Sequence, residues 1–339
     1  MELSGTILAG ASYEPVEGRL VIDDGRIQAV EETSTDSTDI LLPAFVNAHT
    51  HVGDSIAKEA GRGLDLDELV APPDGLKHRL LREATPEETV DAIRRTLRFM
   101  HEGGTTAFLD FREGGVEGVR TLQAAAQGVA IEPILYGRSD PEVLEIADGY
   151  GASGSRDDDF SAERAAAENA GKPFAIHAGE RDADDIQGAF ELDPDFLVHM
   201  VYADTVHLEW LEETATPVVV CPRSNLVTGV GMPPIKNLLE CTTVGLGTDN
   251  VMLNSPSMFR EMEFVSKLCD VSAPDVLRMA TSAGAKIAGL DSGMIEPGRD
   301  ARLLVLDGDS DNLCNARDPV RAVVRRAGVD DVKRVISPV

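Results

Sequence analysis

Eight short apolar runs alternate with helix-prone stretches between residues 41 and 250, and this alternation constrains the fold more than any other feature of the chain. The runs occupy 41–47, 105–111, 128–137, 148–153, 173–180, 195–203, 216–222 and 242–250; the glycine-rich DGYGAS at 148–153 fits the pattern least well. The intervening stretch 85–102 opens with TPEE, a helix-start signal. PEVLEIAD reads as a short helix, and SAERAAAENAGK as a helix stopped at Gly171. SPSMFREMEFVSKLCD is expected to open a helix at Ser255 with proline in its first turn, and 273–288 is further helical material. Strand and helix in this order predict an α/β chain folded as a (β/α)₈ TIM barrel. An open doubly wound sheet is the alternative, but no GxGxxG follows the first run.

The ends of the chain differ from its middle. GRLVIDDGRIQAVEE pairs two alternating runs across an Asp-Gly turn, and IEPGRDARLLVLD places a Pro-Gly turn before another β-rich segment. Neither end closes a core alone. A small β-domain built from both termini, 1–42 and 291–339, is therefore expected to flank a barrel over 43–290.

Formal net charge is −28, from 59 acidic against 31 basic residues. Such a chain repels nucleic acid and anionic membranes, so neither is an expected partner. The acid is spread along the sequence, and arginine far outnumbers lysine. Self-repulsion of this size is tolerable in strong salt, where the Debye length shrinks to about 3 Å at 1 M, so a halophile's cytoplasmic protein is expected. There is no run of about 18 apolar residues and no basic, apolar leader. The four cysteines lie far apart and read as reduced residues.

Several apolar runs end in residues that bind metals. LLPAFVNAHTHVG ends in His49 and His51, which share one face of an extended strand. FAIHAGE carries His177 and Glu180, FLVHM carries His199, and VGLGTDN carries Asp249. Barrels place functional groups at these C-terminal strand ends. His49, His51, His177 and Asp249 are expected to hold one divalent metal, Zn²⁺ first and Fe²⁺ second, with a position left for water. A metal in such a site lowers the pKa of its water toward about 7. Glu180 is expected to shuttle the proton and His199 to orient or polarise the hydroxide, while Asp249 could also accept a proton.

Other candidates carry less. His78, His101 and His207 stand in polar helical contexts and read as surface residues, and Cys221 reads as packing. Arg223, Ser224 and Asn225 follow the seventh run and are expected to line a substrate pocket. Lys77 and Arg79 in GLKHR could meet a phosphate or carboxylate, although exposed positions at a helix start are the favoured reading.

Together, LPAFVNAHTH, HAGE, LVHM, CPRSN at 221–225 and GLGTDN at 245–250 resemble the amidohydrolase superfamily, over nearly the whole chain. The pattern is similar to its mononuclear deaminase branch, which includes cytosine, guanine, adenosine and S-adenosylhomocysteine deaminases and related chlorohydrolases. The resemblance implies a distorted barrel, one divalent metal, and hydrolytic release of ammonia from a purine, pyrimidine or related heterocycle. It assigns His49, His51, His177 and Asp249 as ligands, Glu180 as proton shuttle and His199 as the residue that positions water. The bridging lysine of the binuclear branch is absent from DGYGASGSR, and the P-C-x-x-C motif of the other zinc deaminases is absent altogether. The segment after the first strand is shorter than in many relatives, so the pocket is expected to differ from theirs. Ring opening of a cyclic amide, as in imidazolonepropionases, and halide displacement use the same ligand set and stay open here, as does, more distantly, a metal-free scaffold. Relatives often form dimers or larger assemblies, which leaves a homo-oligomer as an open expectation.

Overall fold

The computed structural model describes residues 1–71 and 74–337. Pro72 and Pro73, in the segment after the first strand, and Pro338 and Val339, in the expected C-terminal part, lie outside the described residues.

A nine-stranded parallel sheet forms the barrel wall. Its strands run in chain order from Phe45–His51 through Thr105–Arg112, Glu132–Gly137, Gly149–Ala152, Phe174–Ala178, Phe196–His199 and Val218–Val220 to Val244–Leu246. The eighth stave is broken. Val244–Leu246 pairs with the seventh strand, whereas Asp249–Asn250 pairs with Thr50 and His51 of the first. This break is the distortion. The Asn47 amide donates to the Thr248 hydroxyl (2.7 Å), and its carbonyl accepts from the Thr248 N–H (3.1 Å). Gly247 passes so close to His49 that a Cβ there would lie 2.8 Å from the histidine Cβ, a contact only glycine avoids.

The inner face of the barrel is packed by Val46, Ala48, Leu109, Phe111, Phe196, Val198 and Val219, with Cys221 fully buried among them. Alternation drives this placement, since every second side chain of a strand points inward. The weakest run, DGYGAS, is a strand at 149–152.

The chain ends build a six-stranded sheet in the order 332–336, 303–306, 40–43, 2–9, 14–23, 26–32. Asp24 and Gly25 both have positive φ (48° and 70°), as a tight hairpin turn requires. The run expected as one strand at 41–47 is two. Ile40–Pro43 belongs to the terminal sheet, and Phe45–His51 to the barrel. Pro43 donates nothing to a ladder, and beyond it the Ala44 N–H donates to Arg302 O while the Phe45 N–H donates to Gly104 O.

Two helix expectations are corrected. The helix after the eighth strand spans Met258–Leu268 with Ser257 as its cap, so Ser255 and Pro256 precede it. The 273–288 stretch is two helices, Ala273–Ala280 and Ser282–Ile287, broken at Thr281. The helix Pro86–Glu102 starts as expected, with Thr85 and Glu88 capping reciprocally. No helix among the described residues is long and apolar enough to cross a membrane.

Candidate metal and catalytic site

His49 and His51 leave the first strand, His177 the fifth, His199 the sixth, and Asp249 opens the second half of the eighth. The structure brings all five together, with four of them almost wholly buried and His177 9 % exposed. His49 Nε2 lies 3.3 Å from His177 Nε2 and 3.4 Å from Asp249 Oδ1, and His51 Nε2 is 3.6 Å from the same oxygen. His199 (φ 81°), Met200 (φ 51°) and Asp249 (φ 58°) all adopt left-handed backbone, a strain that concentrates at functional sites.

For His51, His177 and His199, hydrogen bonds at the far side of the ring set what faces the centre. His51 Nδ1 is 2.9 Å from Phe111 O, and His177 Nδ1 is 2.9 Å from Ala152 O. A carbonyl only accepts, so both rings carry their proton on Nδ1 and turn the Nε2 lone pair inward. His199 is the opposite case. The Asn225 amide nitrogen, which only donates, sits 3.1 Å from His199 Nδ1. The proton of His199 is therefore on Nε2, 3.5 Å from Glu180 Oε2. His199 thus presents a donor where His51 and His177 present lone pairs.

Burial lowers His49 and His177 below the ordinary imidazole range and brings His51 to about 3, with Lys77 as the second cause for His51. Burial also acts to raise Asp249, but its contact with His49 and the neighbouring imidazoles reverse this and hold the carboxyl well below its usual value. A carboxylate held ionised suits a cation. Glu180 is raised, chiefly by burial, with His199 opposing. It is 21 % exposed and faces the cavity above the cluster.

The inward lone pairs of His51 and His177 and the buried oxygen Asp249 Oδ1, which makes no hydrogen bond, converge with His49 Nε2, which lies 3.3 Å from His177 Nε2. A shared cation satisfies such a set, and imidazole with carboxylate suits a divalent transition metal. The ligand atoms of His49, His51 and Asp249 lie within 4.8 Å of one another, as do those of His49, His177 and His199.

Arg223, Ser224 and Asn225 do not line this cavity, contrary to expectation. All three are buried and occupied by protein partners. The Ser224 hydroxyl donates to Asp249 Oδ2 (2.5 Å), Asn225 holds His199, and Arg223 ion-pairs with the buried Glu261 while donating to Ser255 O (2.7 Å). Lys77 also departs from its favoured reading. It is buried, 2.7 Å from Glu113 Oε1, 3.2 Å from Asn250 Oδ1 and 3.4 Å from Asp54 Oδ2. Arg79 is exposed, whereas His78, His101 and His207, read as surface residues, are half-buried.

Sequence reading missed Asp54, Asp110, Glu113 and Arg138. Glu113 Oε1 also lies 2.9 Å from His51 Nδ1 and 3.2 Å from Arg138 Nη1. Glu113 and Arg138 directly follow barrel strands, so the rule that flagged the histidines could have found both.

The sequence profile of the amidohydrolase family matches residues 40–337. The chain belongs to the amidohydrolase family. It is 31% identical to a 5-methylthioadenosine/S-adenosylhomocysteine deaminase of Haloarcula marismortui, over 93% of this chain and 85% of that one. An uncharacterised protein of Methanocaldococcus jannaschii is 35% identical over 87% of each chain. Among solved structures, a zinc-bound adenosine deaminase from Xanthomonas campestris superposes with a TM-score of 0.77 at 19% identity, over 98% of this chain and 90% of that one. That likeness places this member of the amidohydrolase family on the same barrel fold.

Proposed function

We propose that this chain is a metal-dependent aminohydrolase that releases ammonia from a purine, pyrimidine or related heterocycle. The observation that carries the reading is the Glu180–His199 pair. A carboxyl raised by burial stands 3.5 Å from an imidazole N–H, at the mouth of a metal-type ligand cluster. Deamination moves one proton of the attacking water to a ring nitrogen and the other to the leaving amine, and needs a group that carries them. Glu180 would carry these protons, and its position beside His199 on the cavity wall supports the role.

His49, His51, His177 and Asp249 would hold one divalent ion, zinc first and ferrous iron second. When bound, the ion supplies a Lewis acid that lowers the pKa of water toward about 7. The chain does the rest. Asn225 fixes the tautomer of His199, so that its Nε2–H donates toward the reacting centre. Ser224 fixes Asp249 by occupying Oδ2. The deaminase name of the Haloarcula relative supports ammonia release over ring opening or halide displacement.

The test is ammonia release from a panel of nucleobases, nucleosides and nucleotides, run in molar KCl with added zinc or ferrous iron. Turnover of a panel member by the native chain, with kcat lower by about 10²- to 10⁴-fold in Glu180→Gln at unchanged metal content, is the expected outcome. No ammonia from any panel member with the folded, metal-loaded chain contradicts the reading, and so does full activity of Glu180→Gln.

A further inference from the structure

The wall of the cavity above the cluster is unlike the rest of the chain. Acidic residues outnumber basic ones 59 to 31 overall, whereas on this wall Lys77, Arg138, Arg156 and Arg181 stand against five acids, Asp67, Asp157, Glu180, Asp185 and Asp249. Among the described residues lining it there is no Phe, Tyr or Trp. An uncharged nucleoside is commonly gripped by apolar and aromatic surface, of which this wall offers only Leu66, Val70 and Ala71.

The cations differ in how far they are neutralised. At the rim, Arg156 is taken by Asp182, and Arg181 by Asp67. Deeper in, a single carboxylate oxygen, Glu113 Oε1, serves Lys77 (2.7 Å), Arg138 (3.2 Å) and the His51 N–H (2.9 Å) together. Asp54 is the other acid near Lys77, but at 3.4 Å, and neither of its oxygens makes a hydrogen bond. Burial raises Asp54 to about 7, with Lys77 opposing. The one Glu113 carboxylate is therefore shared by the buried Lys77, the half-buried Arg138 and Arg112, whose Nη2 lies 3.8 Å from Glu113 Oε2. Arg138 is 14 % exposed and also lines a second, adjoining cavity, together with Ser153 and His78, which line both. Asp157 lines both cavities too and is the one acid on that shared wall.

We propose that Arg138, backed by Lys77, selects a heterocycle carrying an anionic substituent, a phosphate monoester or a carboxylate, with the ring over the histidine cluster and the anion at the junction of the two cavities. This rests on the aminohydrolase reading for the chemistry at the ring but not for the binding preference. Arginine suits the role because its planar donors meet phosphate or carboxylate in pairs. At this depth the contact is also screened less by salt than a surface pair.

The experiment measures binding by calorimetry, alongside ammonia release, for matched pairs in molar KCl with the metal-loaded protein. Adenosine against AMP and cytidine against CMP test phosphate; adenosine against its 5′-carboxylate tests carboxylate. We expect at least tenfold tighter binding for the anionic member of one pair, reduced to less than threefold in Arg138→Gln and retained in the exposed variant Arg79→Gln. Which pair shows the preference names the anion. Equal binding within every pair by the native protein overturns the inference without any variant. A preference that survives unchanged in folded Arg138→Gln overturns it as well. Absence of ammonia from every compound counts against the aminohydrolase reading, whereas a binding preference lost in Arg138→Gln supports the anion site whether or not ammonia appears.

Discussion

The Ser224 hydroxyl donates to Asp249 Oδ2 across 2.5 Å and leaves Asp249 Oδ1 to face His49 Nε2 at 3.4 Å and His51 Nε2 at 3.6 Å. One carboxylate oxygen is anchored and the other is offered. Removing the anchor in Ser224→Ala should weaken metal affinity by about 10- to 100-fold, the usual effect of losing a group that orients a ligand. Competition against a chromogenic chelator reads this directly. Unchanged affinity would mean that the left-handed backbone at Asp249 orients the carboxylate by itself.

The tautomer of His199 gives a second expectation. Asn225→Asp replaces the amide donor with an acceptor, moves the proton to Nδ1 and turns a lone pair toward the cluster. Turnover should fall by on the order of 10²-fold while metal binding is retained. Unchanged turnover in the variant would mean that His199 does not act through an Nε2–H.

Much of this site was legible because apolar strands stop at it. A run such as FAIHAG or FLVH needs no polar residue for packing, so a histidine at its end stands out, and the same holds for Asp249 after VGLG. Lys77, Glu113 and Arg138 were not legible in the same way. GLKHR reads as a polar helix start, and only the approach of Asp54, Glu113 and Asn250 from other elements buries the ammonium. Arg223 failed for the converse reason. Its neighbours in CPRSN suggest a pocket, but Glu261, 38 residues later, claims the guanidinium. The barrel was legible from its alternation, whereas the split of 41–47 between two sheets depends on which partners lie beside Pro43.

The Arg223–Glu261 pair is buried on both sides. Glu261→Gln leaves the guanidinium without its counter-charge and should cost about 3–5 kcal/mol of stability. The denaturation midpoint should drop, while KM of the folded fraction stays unchanged. A raised KM at native stability would return Arg223 to the substrate pocket.

Asp110 provides a pH test away from the ligand atoms. Burial, opposed by Arg112, raises it to about 6 from the model-compound value of 3.8. Its Oδ2 accepts from the Val52 N–H (2.6 Å) and the Thr50 hydroxyl (3.0 Å), which an asparagine oxygen can also do. The folded state binds a proton here that the unfolded state releases, so this contribution is present at low pH and is lost as pH rises. The stability of the native chain relative to Asp110→Asn should fall by about 1.4 kcal/mol per unit between about pH 4 and 6 and level off above. Parallel urea titrations across that range measure the difference. A flat difference would place the carboxylate in an environment more polar than its burial implies.

The most direct test of the account is an equilibrium zinc titration of the chelator-stripped chain, followed by mass spectrometry of the native complex. His49, His51, His177 and Asp249 predict one tightly held ion per chain, and an affinity at least a hundredfold weaker in His177→Asn and in Asp249→Asn. Two ions per chain, or one ion held as tightly by both variants as by the native protein, would contradict it.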